Sequence, residues 1–132
     1  MCIDINDLAL GFINSYVHVS NIELNLVTTF KLDLIVDQWP FKDESIGAII
    51  NVHFFNEELT RKFVRSLKIG GYLLIETIDG RGENYLELPQ QGFIKNILGD
   101  SFQIRFFKEK KVGPPNSNAS TVKLLAIKQK SF

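Results

Sequence analysis

The stretch from Trp39 to Thr77 constrains the fold most, because it specifies a strand, a helix and a second strand in unbroken order. Pro40 cannot donate a hydrogen bond to a sheet and favours an extended Trp39, which predicts a loop before the first strand. Ile46 to Val52 is apolar on both faces, which is typical of a parallel-sheet strand that helices cover on both sides. A helix that connects two such neighbouring strands requires them to run parallel.

In the helix of this unit, the capping residue, the charges and the apolar stripe agree. Asn56 is a favourable N-cap, Glu57 and Glu58 follow in the first turn, and basic residues come later. The predicted buried stripe consists of Leu59, Phe63, Val64 and Leu67. Gly70 is predicted to end the helix in the left-handed conformation, after which the chain enters a second buried strand.

The amino-terminal third has weaker patterns. Cys2 to Ile5 is a short apolar run, and Asn6 or Asp7 is predicted to cap a helix through Ile13. Between Tyr16 and Val36, apolar and β-branched residues alternate well enough to predict one or two strands.

The carboxyl-terminal third predicts a short helix and a hairpin. Pro89 and Gly99 bracket the helix. The runs from Phe102 to Val112 and from Thr121 to Lys130 flank a Gly-Pro-Pro-Asn turn, which indicates two antiparallel strands. The first of these strands is rich in lysine, as expected of an edge strand that must not pair with another chain.

Composition limits the classes of function. With 132 residues, 45% of them hydrophobic, one domain over 1–132 is predicted. Fifteen basic and fifteen acidic residues cancel, so neither a nucleic acid nor a membrane is predicted as a partner. The lone Cys2, the absence of a signal-peptide pattern and the lack of an apolar run of ~20 residues predict a cytoplasmic location.

Several chemistries find no support in the residue pattern. His18 and His53 stand in unrelated contexts, and with one cysteine and scattered acids they make no metal-ligand cluster, so no metal is predicted. No Ser-His-Asp arrangement and no Walker motif is present, which argues against hydrolases and nucleotide triphosphatases.

Five short pieces of sequence, none convincing alone, together resemble class I S-adenosylmethionine-dependent methyltransferases, in particular the bacterial subfamily related to tellurite-resistance methyltransferases. The pieces are Trp39-Pro40-Phe41, Val52-His53-Phe54, Gly70 to Thr77, Gly82-Glu83-Asn84-Tyr85 with Pro89, and Phe107-Lys108-Glu109. The resemblance implies an α/β fold with a partial Rossmann-like sheet that is mostly parallel and ends in a carboxyl-terminal antiparallel hairpin.

The resemblance also implies which residues contact S-adenosylmethionine. Asp4 resembles the acid that holds the ribose hydroxyls of the cofactor, and Asp33 and Leu34 lie where the family contacts the adenine. Val52 and His53 complete the implied cofactor contacts. An aspartate after a short strand also commonly caps a helix or forms a turn, and this alternative stays open for both acids.

The implied reaction is methyl transfer to an unknown small molecule. His53 is the candidate catalytic residue, because ligands bind at the carboxyl ends of strands in open α/β sheets and imidazole accepts protons readily. Glu76, Asn84 and Tyr85 are the candidate substrate-binding residues. The alternatives are a partly buried histidine bonded to a loop, and an ordinary surface connection after Glu76.

One motif of the family is missing. No G-x-G-x-G loop occurs, although the family places its first strand and this loop at the middle of the sheet, close to the cofactor. The chain would then begin at the second strand and leave exposed apolar edges. Three alternatives follow: an N-terminally truncated product of a longer gene, a fold that closes the gap differently, or a homo-oligomer that completes the sheet. Accordingly, the alternative function is a cofactor-free interaction or oligomerisation module, or a gene remnant.

Overall fold

The computed structural model describes residues 1–20, 26–79, 92–116 and 119–131. The helices and strands are β1 (Cys2–Asp4), α1 (Asp7–Val19), β2 (Thr29–Lys31), β3 (Ile46–Val52), α2 (Glu57–Ser66), β4 (Leu67–Asp79), α3 (Phe93–Leu98), β5 (Phe102–Lys111) and β6 (Ser120–Lys128). The chain divides into two compact units, Met1–Trp39 and Pro40–Phe132. Each unit is described by itself. A single domain over 1–132 stays a prediction.

In the first unit, two parallel strands flank a helix. β1 pairs with β2, with Cys2 opposite Thr29. Asn6 caps α1 as predicted, since its side-chain oxygen accepts hydrogen bonds from the backbone N–H groups of Leu8 and Ala9 at 2.9 and 3.3 Å. This cap satisfies donors that a helix start otherwise leaves free.

The strand predictions between Tyr16 and Val36 are partly wrong. Val17 and Val19 belong to α1, where Val17 is buried seven residues after Leu10, the spacing of one helix face. Among the described residues of this stretch, the strand that forms is Thr29–Lys31. The later residues turn instead, because the Asp33 carboxylate accepts the N–H groups that follow it. Ile22 and Leu24, also predicted in a strand, lie outside the described residues.

The second unit contains a four-stranded sheet in the order β3-β4-β6-β5. β3 and β4 run parallel with α2 between them in sequence, whereas β6 runs antiparallel to both β4 and β5. The βαβ unit and the carboxyl-terminal hairpin are therefore confirmed, and β5 is an edge strand as predicted. Asn56 caps α2 by accepting the N–H of Leu59 at 2.8 Å. The described residues form a mixed α/β fold with parallel and antiparallel pairings.

The predicted end of the middle helix at Gly70 is wrong. α2 ends at Ser66, and Leu67, predicted in its buried stripe, begins β4. Gly70 does adopt the left-handed conformation, with φ +80°, but inside β4, where the register against β3 shifts between Ile46 and Ala48. A Cβ on Gly71 would lie 2.8 Å from the carbonyl oxygen of Lys68. The two glycines thus permit a strand irregularity, which uses the same backbone conformation as a helix cap.

One face of this sheet carries the core of the unit, and we call it the covered face. Cross-strand pairing places Leu73 opposite Ala126 and Ile75 opposite Leu124, and these side chains are at most 1% exposed. The helices contribute the buried residues Leu59, Phe63 and Val64 of α2, and Ile94, Ile97 and Leu98 of α3. Both helices therefore pack on this face.

The other face, which we call the open face, exposes large apolar side chains. Ile50 is 73% exposed, and Tyr72 and Phe106 are each 50% exposed. Val52, at the end of β3, is also 50% exposed. The expectation that helices cover β3 on both sides is therefore wrong for the described residues. An apolar sequence indicates that a strand suits burial, but it does not supply the element that buries it.

Candidate functional site

Polar side chains meet where β3 and β4 end. His53 directly follows β3, and its N–H donates to the carbonyl oxygen of Glu76 at 2.8 Å. The His53 Nε2 lies 3.8 Å from Glu76 Oε1. These are the carboxyl ends of parallel strands, the edge at which open α/β sheets bind ligands. The structure thus brings together two of the residues that the sequence singled out.

His53 has an unusual backbone. Its φ of +57° lies in the left-handed region, which costs energy for a residue other than glycine and occurs often at functional sites. The turn that follows is held by the Asn51 side-chain amide, which donates to the carbonyl oxygen of Phe54 at 2.8 Å. The alternative interpretation required a partly buried ring, but the His53 side chain is 78% exposed.

Lys123 is the third member of this group, which we call the rim cluster: His53, Glu76 and Lys123. Its Nζ lies 2.9 Å from Glu76 Oε1, because β6 pairs Lys123 directly opposite Glu76. A hydrogen bond from Lys123 lowers the pKa of Glu76 below its usual 4.5, and the charges of Lys123 and His53 add to this against the opposing effect of burial. The lowered pKa widens the pH range over which Glu76 is ionised beside the His53 ring.

Sequence reasoning missed Lys123. It lies in a different part of the chain from His53 and Glu76, and only the strand register places it beside them. Alternation along β6 would have put Lys123 on the face opposite Val122 and Leu124, but no pattern in the sequence names its partner across the sheet.

In the first unit, both candidate cofactor acids hold local turns. Asp4 Oδ1 accepts the N–H of Asn6 at 2.8 Å. Asp33 Oδ1 accepts the N–H groups of Ile35 and Val36 at 3.0 and 3.3 Å. These contacts are the turn-forming role that the sequence left open. All these contacts use the Oδ1 atoms of the two acids.

The remaining predicted site residues divide between the two units. Leu34 is half-buried in the first unit beside Asp33, whereas Val52 immediately precedes His53 in the second. Asn84 and Tyr85 lie outside the described residues. All these cofactor and substrate assignments stay predictions.

Within the described residues, no group of three or more histidine, cysteine or acidic side chains is placed to hold a metal ion. In the same part of the chain, no helix is both long and apolar enough to cross a bilayer.

No family model and no curated protein matches this sequence. Solved structures do match. Geranyl diphosphate C-methyltransferase from Streptomyces coelicolor A3(2), in complex with Mg²⁺, geranyl diphosphate and S-adenosyl-L-homocysteine, has a TM-score of 0.72 at 11% identity over 96% of this chain and 63% of its own. A putative sarcosine dimethylglycine methyltransferase from Galdieria sulphuraria has a TM-score of 0.72 at 11% identity over 99% and 70%. The chain shares the fold of S-adenosylmethionine-dependent methyltransferases.

The likeness is one of fold. The chain spans 60–67% of the length of the first five matching structures. One of them is the [4+2]-cyclase SpnF, with a TM-score of 0.70 at 13% identity over 96% of this chain and 65% of that one. Since proteins named for different reactions share this fold, the function must be argued from the site.

Proposed function

We propose that this chain is an S-adenosylmethionine-dependent methyltransferase-like protein that transfers a methyl group to a small molecule. The observation that carries the proposal is the rim cluster, which stands at the carboxyl ends of two parallel strands in a methyltransferase fold. In this proposal the sheet is a partial Rossmann-like sheet, and the chain is assigned to the subfamily related to tellurite-resistance methyltransferases on the sequence resemblance.

The available oxygens suit the proposed cofactor. Oδ2 of Asp4 would accept a hydrogen bond from a ribose hydroxyl while Oδ1 keeps the turn to Asn6. Within the first unit, Asp33 and Leu34 would border the adenine. When bound, S-adenosylmethionine supplies an electrophilic methyl group on a positively charged sulfur.

The rim cluster would prepare the methyl acceptor. The exposed His53 ring would take the proton that the acceptor loses, and ionised Glu76 would hold the ring and stabilise its positive charge. The ion pair with Lys123 would hold the Glu76 carboxylate in place. Glu76, Asn84 and Tyr85 would contact the acceptor. Orientation of the acceptor is the largest contribution that a protein makes to such a transfer.

Titration calorimetry with S-adenosylmethionine and S-adenosylhomocysteine tests this proposal. We expect affinity in the micromolar range or tighter. Asp4→Asn keeps the turn acceptor but loses the charge, so it should weaken binding by about tenfold, equal to ~1.4 kcal/mol. Asp7→Asn is the matched control, because Asp7 is an exposed acid of the same unit that pairs with Lys31. Absence of heat from folded protein would contradict the proposal.

A second candidate function is a cofactor-free interaction or oligomerisation module. The observation in its favour is the open face, where Ile50 of the edge strand β3, Tyr72 of β4 and Phe106 of the edge strand β5 are each at least half exposed. Monomeric soluble proteins rarely leave large apolar patches uncovered. Self-association without any cofactor binding would favour this candidate over the enzyme.

A further inference from the structure

The two edges of the four-stranded sheet differ in how they are protected. β5, at one edge, carries Lys108, Lys110 and Lys111, and such charges discourage pairing with another chain. β3, at the other edge, has the sequence Ile-Gly-Ala-Ile-Ile-Asn-Val, without a charge or a proline. An uncharged edge strand is a template for a further strand.

The hydrogen bonds of β3 show which backbone groups face outward. The N–H of His53 donates to Glu76 in β4. Backbone groups two residues apart point to the same side of a strand, so Ile49 and Asn51 also face β4. Ala48, Ile50 and Val52 therefore direct their N–H and C=O groups to the free edge, and no described strand pairs there.

The free edge formed by these three residues is complementary to the same edge of a second copy of the chain. A two-fold axis pairs a strand with its own copy in antiparallel orientation. If the axis passes by Ile50, then Ile50 faces Ile50 of the second copy and Ala48 faces Val52. The outward backbone groups belong to just these residues, so each pair would exchange both N–H···O bonds. The facing side chains are all apolar, and no like charges oppose each other.

We propose that β3 is the dimer interface of this protein, at which a second copy pairs its β3 antiparallel about Ile50 and extends the sheet across both chains. Pairing would bring the exposed side chains of Ile50 and Val52 against apolar neighbours from the second copy. The interface needs no cofactor, so it goes beyond the proposed methyl transfer, and the two proposals fail independently.

Light scattering after size exclusion, over a wide range of protein concentrations, tests the dimer. We expect a dimer for the natural chain and a monomer for Ile50→Lys, with the dissociation constant raised at least about tenfold. Ile104→Lys is the control, because Ile104 is a partly exposed isoleucine of the opposite edge strand. Circular dichroism checks that both variants fold. A natural chain that is monomeric throughout, or a dimer that survives Ile50→Lys, would overturn the proposal.

A cross-link tests the register. In a Cys2→Ser background, Ile50→Cys should form a disulfide between two copies, because Cα atoms of a hydrogen-bonded antiparallel pair lie about 5.5 Å apart, within disulfide reach. Lys108→Cys on β5 is the matched control and should stay monomeric. Equal cross-linking at both positions would reject this interface, whereas selective cross-linking at position 50 supports it.

Discussion

The covered and open faces of the four-stranded sheet carry similar residue types, but only the covered face is packed against helices. Leu124 and Leu125 are neighbours in β6, yet Leu124 is 1% exposed under the helices while Leu125 is only half-buried on the other face. Both faces carry leucine and isoleucine. The stability of this unit therefore comes mainly from the covered face, whereas the open face leaves apolar side chains exposed to water.

Two lysines of β6 repeat this contrast. Lys128, on the covered face, is 1% exposed, and its Nζ donates to the carbonyl oxygen of Leu67 at 2.8 Å and of Arg65 at 3.4 Å. These carbonyls lie at the end of α2, where a positive charge is favourable. Lys123, on the open face, instead pairs with Glu76 in the rim cluster. Lys128 thus binds the carbonyl groups at the end of α2, whereas Lys123 lowers the pKa of Glu76.

The largest expected effect separates the two faces directly. Leu124→Ala should lower the free energy of unfolding by about 2–5 kcal/mol, because it leaves a cavity in a packed core. Leu125→Ala, its neighbour on the open face, should cost less than about 1.5 kcal/mol, since water already reaches it. Urea denaturation of both variants measures the difference. Equal losses would mean that the open face is covered in solution.

Removal of the buried lysine should have the next largest effect. Lys128→Ala leaves the carbonyl oxygen of Leu67 without its donor in a buried place, which should cost about 1–3 kcal/mol. Lys123→Ala is the matched control and should cost about 0–1 kcal/mol, because it removes only a partly exposed ion pair. The same denaturation measurement applies. If Lys123→Ala lowered the free energy of unfolding as much as Lys128→Ala does, the proposed difference between the two lysines would be wrong.

Loss of the Asn56 cap of α2 should have the third largest effect on stability. Asn56→Ala removes the acceptor for the N–H of Leu59 and should cost about 1 kcal/mol. Asn56→Ser retains an oxygen acceptor and should stay within a few tenths of a kcal/mol of the natural chain. Thermal unfolding compares the two. If alanine costs no more than serine, α2 is held by its packing alone.

The smallest effect concerns pH and the open face. The pKa of Glu76 is lowered in the folded chain, so ionised Glu76 adds stability above its usual 4.5, and this is lost as the pH falls through the lowered pKa. Lys123→Ala should raise the pKa of Glu76, as a carboxyl carbon NMR titration would measure. Lys111→Ala, on the same hairpin, should leave this pKa unchanged. An unchanged value in Lys123→Ala would remove Lys123 from the rim cluster.

The candidate site was predictable where it follows single strands. His53 and Glu76 could be placed at the same edge because the βαβ order requires parallel strands whose carboxyl ends coincide. Lys123 could not be found in this way, since its position beside Glu76 depends on the register of β6. For Asp4 and Asp33 the structure shows the turn-forming role that the sequence left open, and their cofactor-binding role stays a prediction.

The sequence by itself determined the local elements with consistent patterns: β3, the start of α2 with its Asn56 cap, and the antiparallel hairpin. Capping, charge and periodicity are short-range properties, so a few neighbouring residues specify them. Tertiary structure alone decided that the leucine-rich sheet is covered on one face, that Gly70 lies inside a strand, and that Lys123 meets Glu76. Burial and register depend on distant segments of the chain. The apolar residues of a strand indicate that it can be buried, but they do not specify which segment covers it.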